Sequence, residues 1–201
     1  MSIDILVQAL IDEYKRAYIE LQKIIIEKGR RGNVTDYHEA IMEEVLKNLN
    51  MLDEKADEWV NSVIPELYGD SAKEIEVALS KIKRIFLGEK DSDSGKIIAA
   101  ERMAKLHEDA IKAIASNFKD NVHKAHRLVG RRTGGVLREE ALKATSLKLT
   151  TGGTLKEMRK NLLSRYAEKG ILVFVNRAGY ECRIEDYVKM VCRSTVAETT
   201  N

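Results

Sequence analysis

Apolar residues recur every three or four positions along most of the chain, which is the spacing that gives a helix one apolar face. The first such segment runs from Ile3 to Ile24, with charged residues on the other face up to Gly29. It predicts an amphipathic helix of about seven turns. A break at residues 29–33 separates this helix from a second predicted helix, which continues to Leu49.

A third helix is predicted from Asp53 to Val63, where the apolar positions share one face. Proline fits the first turn of a helix better than its interior, because it lacks an amide hydrogen and clashes with the preceding turn. We therefore expect the chain to bend at Ile64–Pro65 and to continue as a separate helix toward Leu87.

Apolar positions from Met103 to Val129 predict one helix of about 35 residues, which is longer than a small globular protein needs. We expect such a helix to span domains or to pack against a neighbouring chain. Three glycines are expected to end it before a shorter helix begins: Gly130, Gly134 and Gly135.

The C-terminal part combines helical and extended patterns. Thr154 and Glu157 have the spacing of a capping box, which predicts the start of a helix at residue 154. Two short β-prone segments, 171–175 and 180–184, flank a glycine-containing turn and predict a β-hairpin. Because an isolated hairpin is marginally stable in water, we expect it to pack on the helix predicted from Glu185 to Glu198.

Together these patterns predict a mainly α protein with an elongated multi-helix architecture, one long central helix and a small C-terminal β-hairpin packed on a helix. Aromatic residues make up only 5% of the chain and charged residues 33%, as is typical of long solvent-facing helices. The predicted regions are an acidic helical region (1–88), a linker (89–95), a long basic helix followed by a short helix (96–150), and a helix–hairpin–helix module (151–201).

Charge is distributed unevenly although the net charge is only +2. Residues 1–95 hold 13 basic and 20 acidic residues, whereas residues 96–201 hold 21 basic and 12 acidic residues. The most basic stretch, 119–160, is predicted to face phosphates or an acidic partner, such as the N-terminal half of another copy. The candidate contact residues in this stretch are Lys124, Arg127, Arg131, Arg132, Arg138 and Lys143.

The sequence favours a protein without catalytic, cofactor-binding or metal-binding residues. It offers no Ser-His-Asp order, no Cys-His pair and no phosphate-binding loop. His123 and His126, with Asp120, are spaced for a metal, but the surrounding lysines and arginines disfavour a cation, so solvated or interfacial histidines are the preferred interpretation. A catalytic module built on these histidines remains a minor alternative.

Two features predict the compartment. Cys182 and Cys192 provide no disulfide framework, and both are expected to be free, half-buried thiols. We therefore expect the protein to be made in a reducing cytoplasm. The sequence contains no signal peptide and no apolar run of about 18 residues, so no membrane partner is expected.

Several segments resemble the phage minor capsid (minor head) proteins of tailed bacteriophages. One is Trp59 to Gly69, with its Ile-Pro and Tyr-Gly pairs. The stronger likeness begins at Thr151: Gly152-Gly153 before a basic helix, and then the segments 163–171, 174–179 and 184–195.

The resemblance implies a non-enzymatic virion component that is bound in several copies to the portal protein inside the head. It implies roles in head assembly, DNA packaging or DNA delivery, with other capsid or minor head copies as further partners and the host cytoplasm as the site of assembly. The candidate docking residues are Trp59, Phe174, Tyr180, Tyr187 and Met190, of which the aromatic residues of the hairpin and the last helix can equally be core residues. The alternative function is non-specific binding of DNA, including packaged DNA, by the basic region 119–160.

Overall fold

The computed structural model describes residues 3–28, 34–86, 93–151, 156–157, 160–161, 164, 172–176 and 178–200. The elements with described bounds are four helices and two strands. In chain order they are α1 (Ile3–Lys28), α2 (Val34–Phe86), α3 (Asp93–Thr151), β1 (Val173–Val175), β2 (Glu181–Arg183) and α4 (Ile184–Thr200). The protein is therefore mainly α with a small C-terminal hairpin, as predicted.

The first and last helices match their predicted extents closely. In α1 the apolar positions, including Leu10, Tyr14, Ala17 and Leu21, are buried, and the polar face is exposed. The α4 helix begins directly after β2. The helix start predicted at residue 154 lies outside the described residues.

The bend predicted at Pro65 is wrong, because α2 is one helix of 53 residues that contains this proline. Pro65 lies on the exposed side, where water can satisfy the carbonyl group that loses its partner. An interior proline costs a helix about 3 kcal/mol. The preceding residues Trp59, Val60, Val63 and Ile64 are buried, and burying each such side chain gains roughly 1.5–3 kcal/mol, which offsets that cost.

The break predicted at Gly130, Gly134 and Gly135 is also wrong. The α3 helix runs unbroken through all three glycines and contains 59 residues, so it is about 90 Å long. It also begins at Asp93, inside the predicted linker.

Two of these glycines face side chains of α2. A Cβ atom on Gly130 would lie 3.4 Å from Cδ1 of Leu49, and one on Gly134 would lie 3.6 Å from Sδ of Met42, which are ordinary van der Waals contacts that alanine could also make. Each glycine costs a helix about 1 kcal/mol relative to alanine, and burial of neighbouring α3 side chains such as Val129 and Leu137 offsets that cost. Tertiary packing therefore decides what local propensity does not.

The α2 and α3 helices run antiparallel over a long distance. Residues that pair across the interface step backward along α2 as they step forward along α3: Tyr68–His107, Trp59–Phe118, Asp53–His126 and Leu49–Gly130. The two helices thus form a helical hairpin in one continuous register.

One apolar core joins the remaining elements to this helical hairpin. It includes residues of α1, α2, α3, the β-hairpin and α4. The indole of Trp59 lies against Phe118 at a ring distance of 5.2 Å and donates a hydrogen bond of 3.0 Å to the carbonyl of Leu6. The division into four regions stays a prediction, and residues from three of them share this core.

The β-hairpin is antiparallel, with Phe174 opposite Cys182. Its turn is held by Asn176, whose side-chain oxygen accepts hydrogen bonds from the amides of Ala178 and Tyr180. Gly179 has a φ of 83°, a conformation that favours glycine. Phe174 is buried and meets the ring of Tyr187 on α4 edge-on at 5.2 Å, so the hairpin packs on this helix as predicted.

Both cysteines are free thiols. Cys192 lies in the core, where burial raises its pKa to about 12, whereas Cys182 on β2 is half-buried. The Cys192 thiol therefore stays protonated and behaves as a small apolar side chain.

The glycines of α3 provide a matched pair of substitutions. An added Cβ at Gly135 meets no atom within 4 Å, so Gly135→Ala should raise the free energy of unfolding by about 0.5–1 kcal/mol. Gly130→Val should lower it by about 1–3 kcal/mol, because the larger side chain would force α2 and α3 apart. Urea unfolding followed by circular dichroism measures both, and stabilisation by Gly130→Val would contradict the contact between Gly130 and the Leu49 side chain.

Candidate functional site

A buried polar network joins the three long helices. The side chains of Tyr14 on α1 and His126 on α3 meet inside the core, where His126 is only 2% exposed, and half-buried Asp53 on α2 reaches them from the edge of the core. Its Nδ1 lies 2.5 Å from Oδ1 of Asp53, and its Nε2 lies 3.0 Å from the Tyr14 hydroxyl. Because a carboxylate can only accept, Nδ1 carries the hydrogen of the first bond; in the tautomer with its hydrogen on Nδ1, Nε2 accepts the hydrogen of the Tyr14 hydroxyl.

The network continues along the interface between α2 and α3. Nε2 of His123 lies 3.0 Å from Oδ1 of Asp57 and 3.5 Å from Oδ1 of Asp53. Nζ of Lys119 lies 3.7 Å from Oδ2 of Asp57. Two acidic residues on α2 therefore face two histidines and a lysine on α3.

The environment of Tyr14 keeps its hydroxyl protonated. Burial raises the pKa of Tyr14 well above its usual value, and the nearby Cys192 and Asp53 raise it further. The phenol is therefore a donor at any physiological pH, as its bond to His126 requires. A buried network in which each member has a partner fixes the positions of the elements that supply it.

Of the three candidate metal ligands, two lie at the interface between helices and one lies on the surface. His123 and His126 lie between helices and bond to aspartates, which matches the interfacial interpretation, while Asp120 is exposed. In the part of the chain that the structure describes, no group of three or more His, Cys, Asp or Glu residues is arranged to hold a metal ion.

Sequence reasoning missed Tyr14, Asp53 and Asp57. A signal for the two aspartates was present, because residues four apart share a helix face, as do His123 and His126 three apart. Finding the pairing required the antiparallel register of α2 and α3, which the expected bend at Pro65 obscured.

The six candidate basic contacts fall into two groups. Arg132 donates to Glu181 of β2 at 2.6 Å, which ties the β-hairpin to α3. Lys143 bonds to Glu139 at 2.8 Å and Glu140 at 3.3 Å, and these bonds raise its pKa. Both side chains are thus committed to partners within the chain.

The other four candidates are exposed: Lys124, Arg127, Arg131 and Arg138. Within the described residues, none of them has a carboxylate partner. At 3.6 residues per turn they lie within about 60° of one another on α3, along about 20 Å of the helix. We call these four residues the basic face.

A groove of about 540 Å³ runs beside the basic face, between α2 and α3. Its α2 wall carries Met42, Leu46, Leu49 and Asn50. Asp53 and His126 lie at one end of the groove. Its α3 wall carries three glycines and three arginines, the latter from the basic face: Gly130, Gly134, Gly135, Arg127, Arg131 and Arg138. The groove therefore combines apolar lining with a cationic edge.

The candidate docking residues also divide. Trp59 and Phe174 are buried in the core, and Tyr187 is half-buried against Phe174, so these three residues stabilise the fold. Tyr180 and Met190 are 71% and 57% exposed. Docking through Tyr180 and Met190 stays a prediction, whereas the burial of Trp59 and Phe174 favours a role for both side chains in the core.

The structure is that of a mainly helical protein whose long helical hairpin carries an exposed basic face and a neighbouring groove. The chain matches the profile of the phage minor capsid protein 2 family over residues 3–201, and it belongs to this family. Membership gives it a structural role in the virion.

No curated protein and no solved structure shows a significant match to the chain. In the segments that the structure describes, no helix is both long and apolar enough to cross a membrane.

The buried network makes a prediction about stability. His126→Leu should lower the free energy of unfolding by about 1–3 kcal/mol, because it leaves the buried Tyr14 hydroxyl without its partner and removes the shorter of the two histidine contacts of Asp53. Lys124→Ala on the exposed side of α3 should change it by less than about 0.5 kcal/mol. Chemical unfolding of both variants measures the difference, and an unchanged His126→Leu would contradict the network.

Proposed function

We propose that this protein is attached in several copies to the portal protein inside the phage head, where it assists head assembly, DNA packaging or DNA delivery. The observation that carries the proposal is the extension of α2 and α3 beyond the core. Among the described side chains, none in α2 after Ile64 and none in α3 before Phe118 is buried. We call residues 65–86 and 93–117 the arm.

The arm is suited to contact with another protein. Its base packs against the core through Leu67, Ile111 and Ile114, and Tyr68 and His107 hold its two helices together through a hydrogen bond of 3.2 Å. Exposed apolar side chains lie on both helices, including Val77 and Leu106, the latter 62% exposed. Since helices gain most of their stability from packing, a paired arm of this kind is stabilised by a partner surface.

Family membership supports a partner among the virion proteins. The portal is the specific partner that the sequence resemblance implies. A portal ring offers several identical surfaces, and a long rigid arm on each copy suits repeated attachment around such a ring.

The portal proposal is tested by copurification. The full chain, coexpressed with the portal protein of the same phage, should elute with it on size exclusion, and both should be found by mass spectrometry in purified particles. Leu106→Glu should weaken the complex at least about tenfold, since it places a charge in an apolar contact. Ala104→Glu, at an exposed position on the opposite face of the same helix, is the matched control. Absence of the chain from purified particles would overturn the proposal.

A second candidate function, non-specific DNA binding, is favoured by the basic face. Four cations without carboxylate partners along about 20 Å of helix suit a run of phosphates. Phosphate contacts require little geometry beyond this spacing of charge, and a protein inside a filled head is surrounded by DNA.

Salt dependence tests this second function. The logarithm of the affinity for duplex DNA should fall linearly with the logarithm of salt concentration, and Arg131→Ala or Arg138→Ala should each reduce the slope by about 1. Lys112→Ala is the control, because Lys112 is already paired with Glu108. Identical slopes for the wild-type chain and both arginine variants would reject the basic face as a DNA contact.

A further inference from the structure

The groove between α2 and α3 is an apolar surface left open by missing side chains. The two neighbouring turns of α3 present Gly130, Gly134 and Gly135, and an added Cβ at Gly135 would meet no atom within 4 Å. On the opposite wall Leu46 is 48% exposed although it lies in the middle of a long helix. Covering this wall would remove apolar surface from water.

The edge of the groove is positively charged and available. Arg127, Arg131 and Arg138 line it, and none has a carboxylate partner among the described residues. The carboxylate at the inner end, Asp53, already bonds to His126 and does not neutralise them. The spacings of four and seven residues keep the three guanidinium groups on one side of the helix.

The shape of the groove indicates the kind of occupant. It follows α3 from His126 to Arg138, which is about 18 Å, or roughly three helical turns. An apolar channel between two helices is the surface that accepts the apolar side of a third helix. Duplex DNA satisfies the arginines but has no group that fills the apolar wall around Met42 and Leu46.

We propose that this groove binds an acidic amphipathic helix of a partner protein. The apolar side of that helix covers Leu46 and the glycine turns, and its carboxylates pair with Arg127, Arg131 and Arg138. This inference goes beyond attachment through the arm, because it assigns a second surface and the chemistry of the partner that fits it.

Peptide binding to the full chain tests the proposal. The probe is a synthetic helical peptide of about 18 residues with leucines along one side and glutamates beside them, and the control peptide has glutamine at each glutamate. Fluorescence anisotropy at physiological salt should show the glutamate peptide binding about tenfold more tightly. Equal binding of the two peptides would overturn the charge complementarity.

Two variants separate the groove from the basic face alone. Leu46→Glu should abolish peptide binding, because it places a charge on the apolar wall, but should only weaken DNA binding, because the added carboxylate offsets one of the four cations of the basic face. Asn61→Glu, which adds the same charge at another exposed position of α2, should leave peptide binding unchanged. Circular dichroism of both variants checks that the helices are retained. Gly135→Leu, whose side chain would fill the groove from α3, is a second way to block peptide binding.

Two other outcomes would overturn the proposal. If Leu46→Glu leaves peptide binding intact, the groove is not the site. If it instead dissociates a complex between copies of this chain that the peptide does not compete for, the occupant is a second copy. Neither readout involves the portal protein, so failure here is distinct from failure of the proposed attachment.

Discussion

The close antiparallel packing of α2 against α3 is the interaction on which the rest of the structure depends. Glycines of α3 lie against leucine and methionine side chains of α2, and aspartates on α2 meet histidines on α3. These contacts set one register along the whole interface. That register places α1 against Trp59, positions the basic face beside an open groove and carries the arm beyond the core.

Local sequence patterns predicted the elements whose boundaries are local. The apolar face of α1, the hairpin with its glycine turn and the extent of α4 follow from periodicity and turn chemistry. The errors at Pro65 and at the α3 glycines have one physical cause. Intrinsic propensity disfavours a helix by about 1–3 kcal/mol at each such residue, and burial of neighbouring side chains against a distant helix exceeds that amount.

The candidate site was predictable in composition but not in pairing. Counting charges identified the basic stretch, and the structure shows that Arg132 and Lys143 are engaged by Glu181, Glu139 and Glu140. The four residues of the basic face could be told apart from the ion-paired Arg132 and Lys143 only from the positions of the β-hairpin and of the turns of α3. The Tyr14–His126–Asp53 network was beyond sequence reasoning, since its members lie on three helices and are joined only by the fold.

The uninterrupted α3 helix has a mechanical consequence. Backbone hydrogen bonds run along its whole length, so the helix resists bending and compression. The distance between its ends is set by its number of residues, at about 1.5 Å per residue. The ion pair between Arg132 and Glu181 ties the β-hairpin to the C-terminal half of α3, while the N-terminal half of α3 lies in the arm. The length of α3 therefore fixes the distance between a partner bound at its N-terminal end and a partner bound near Arg132.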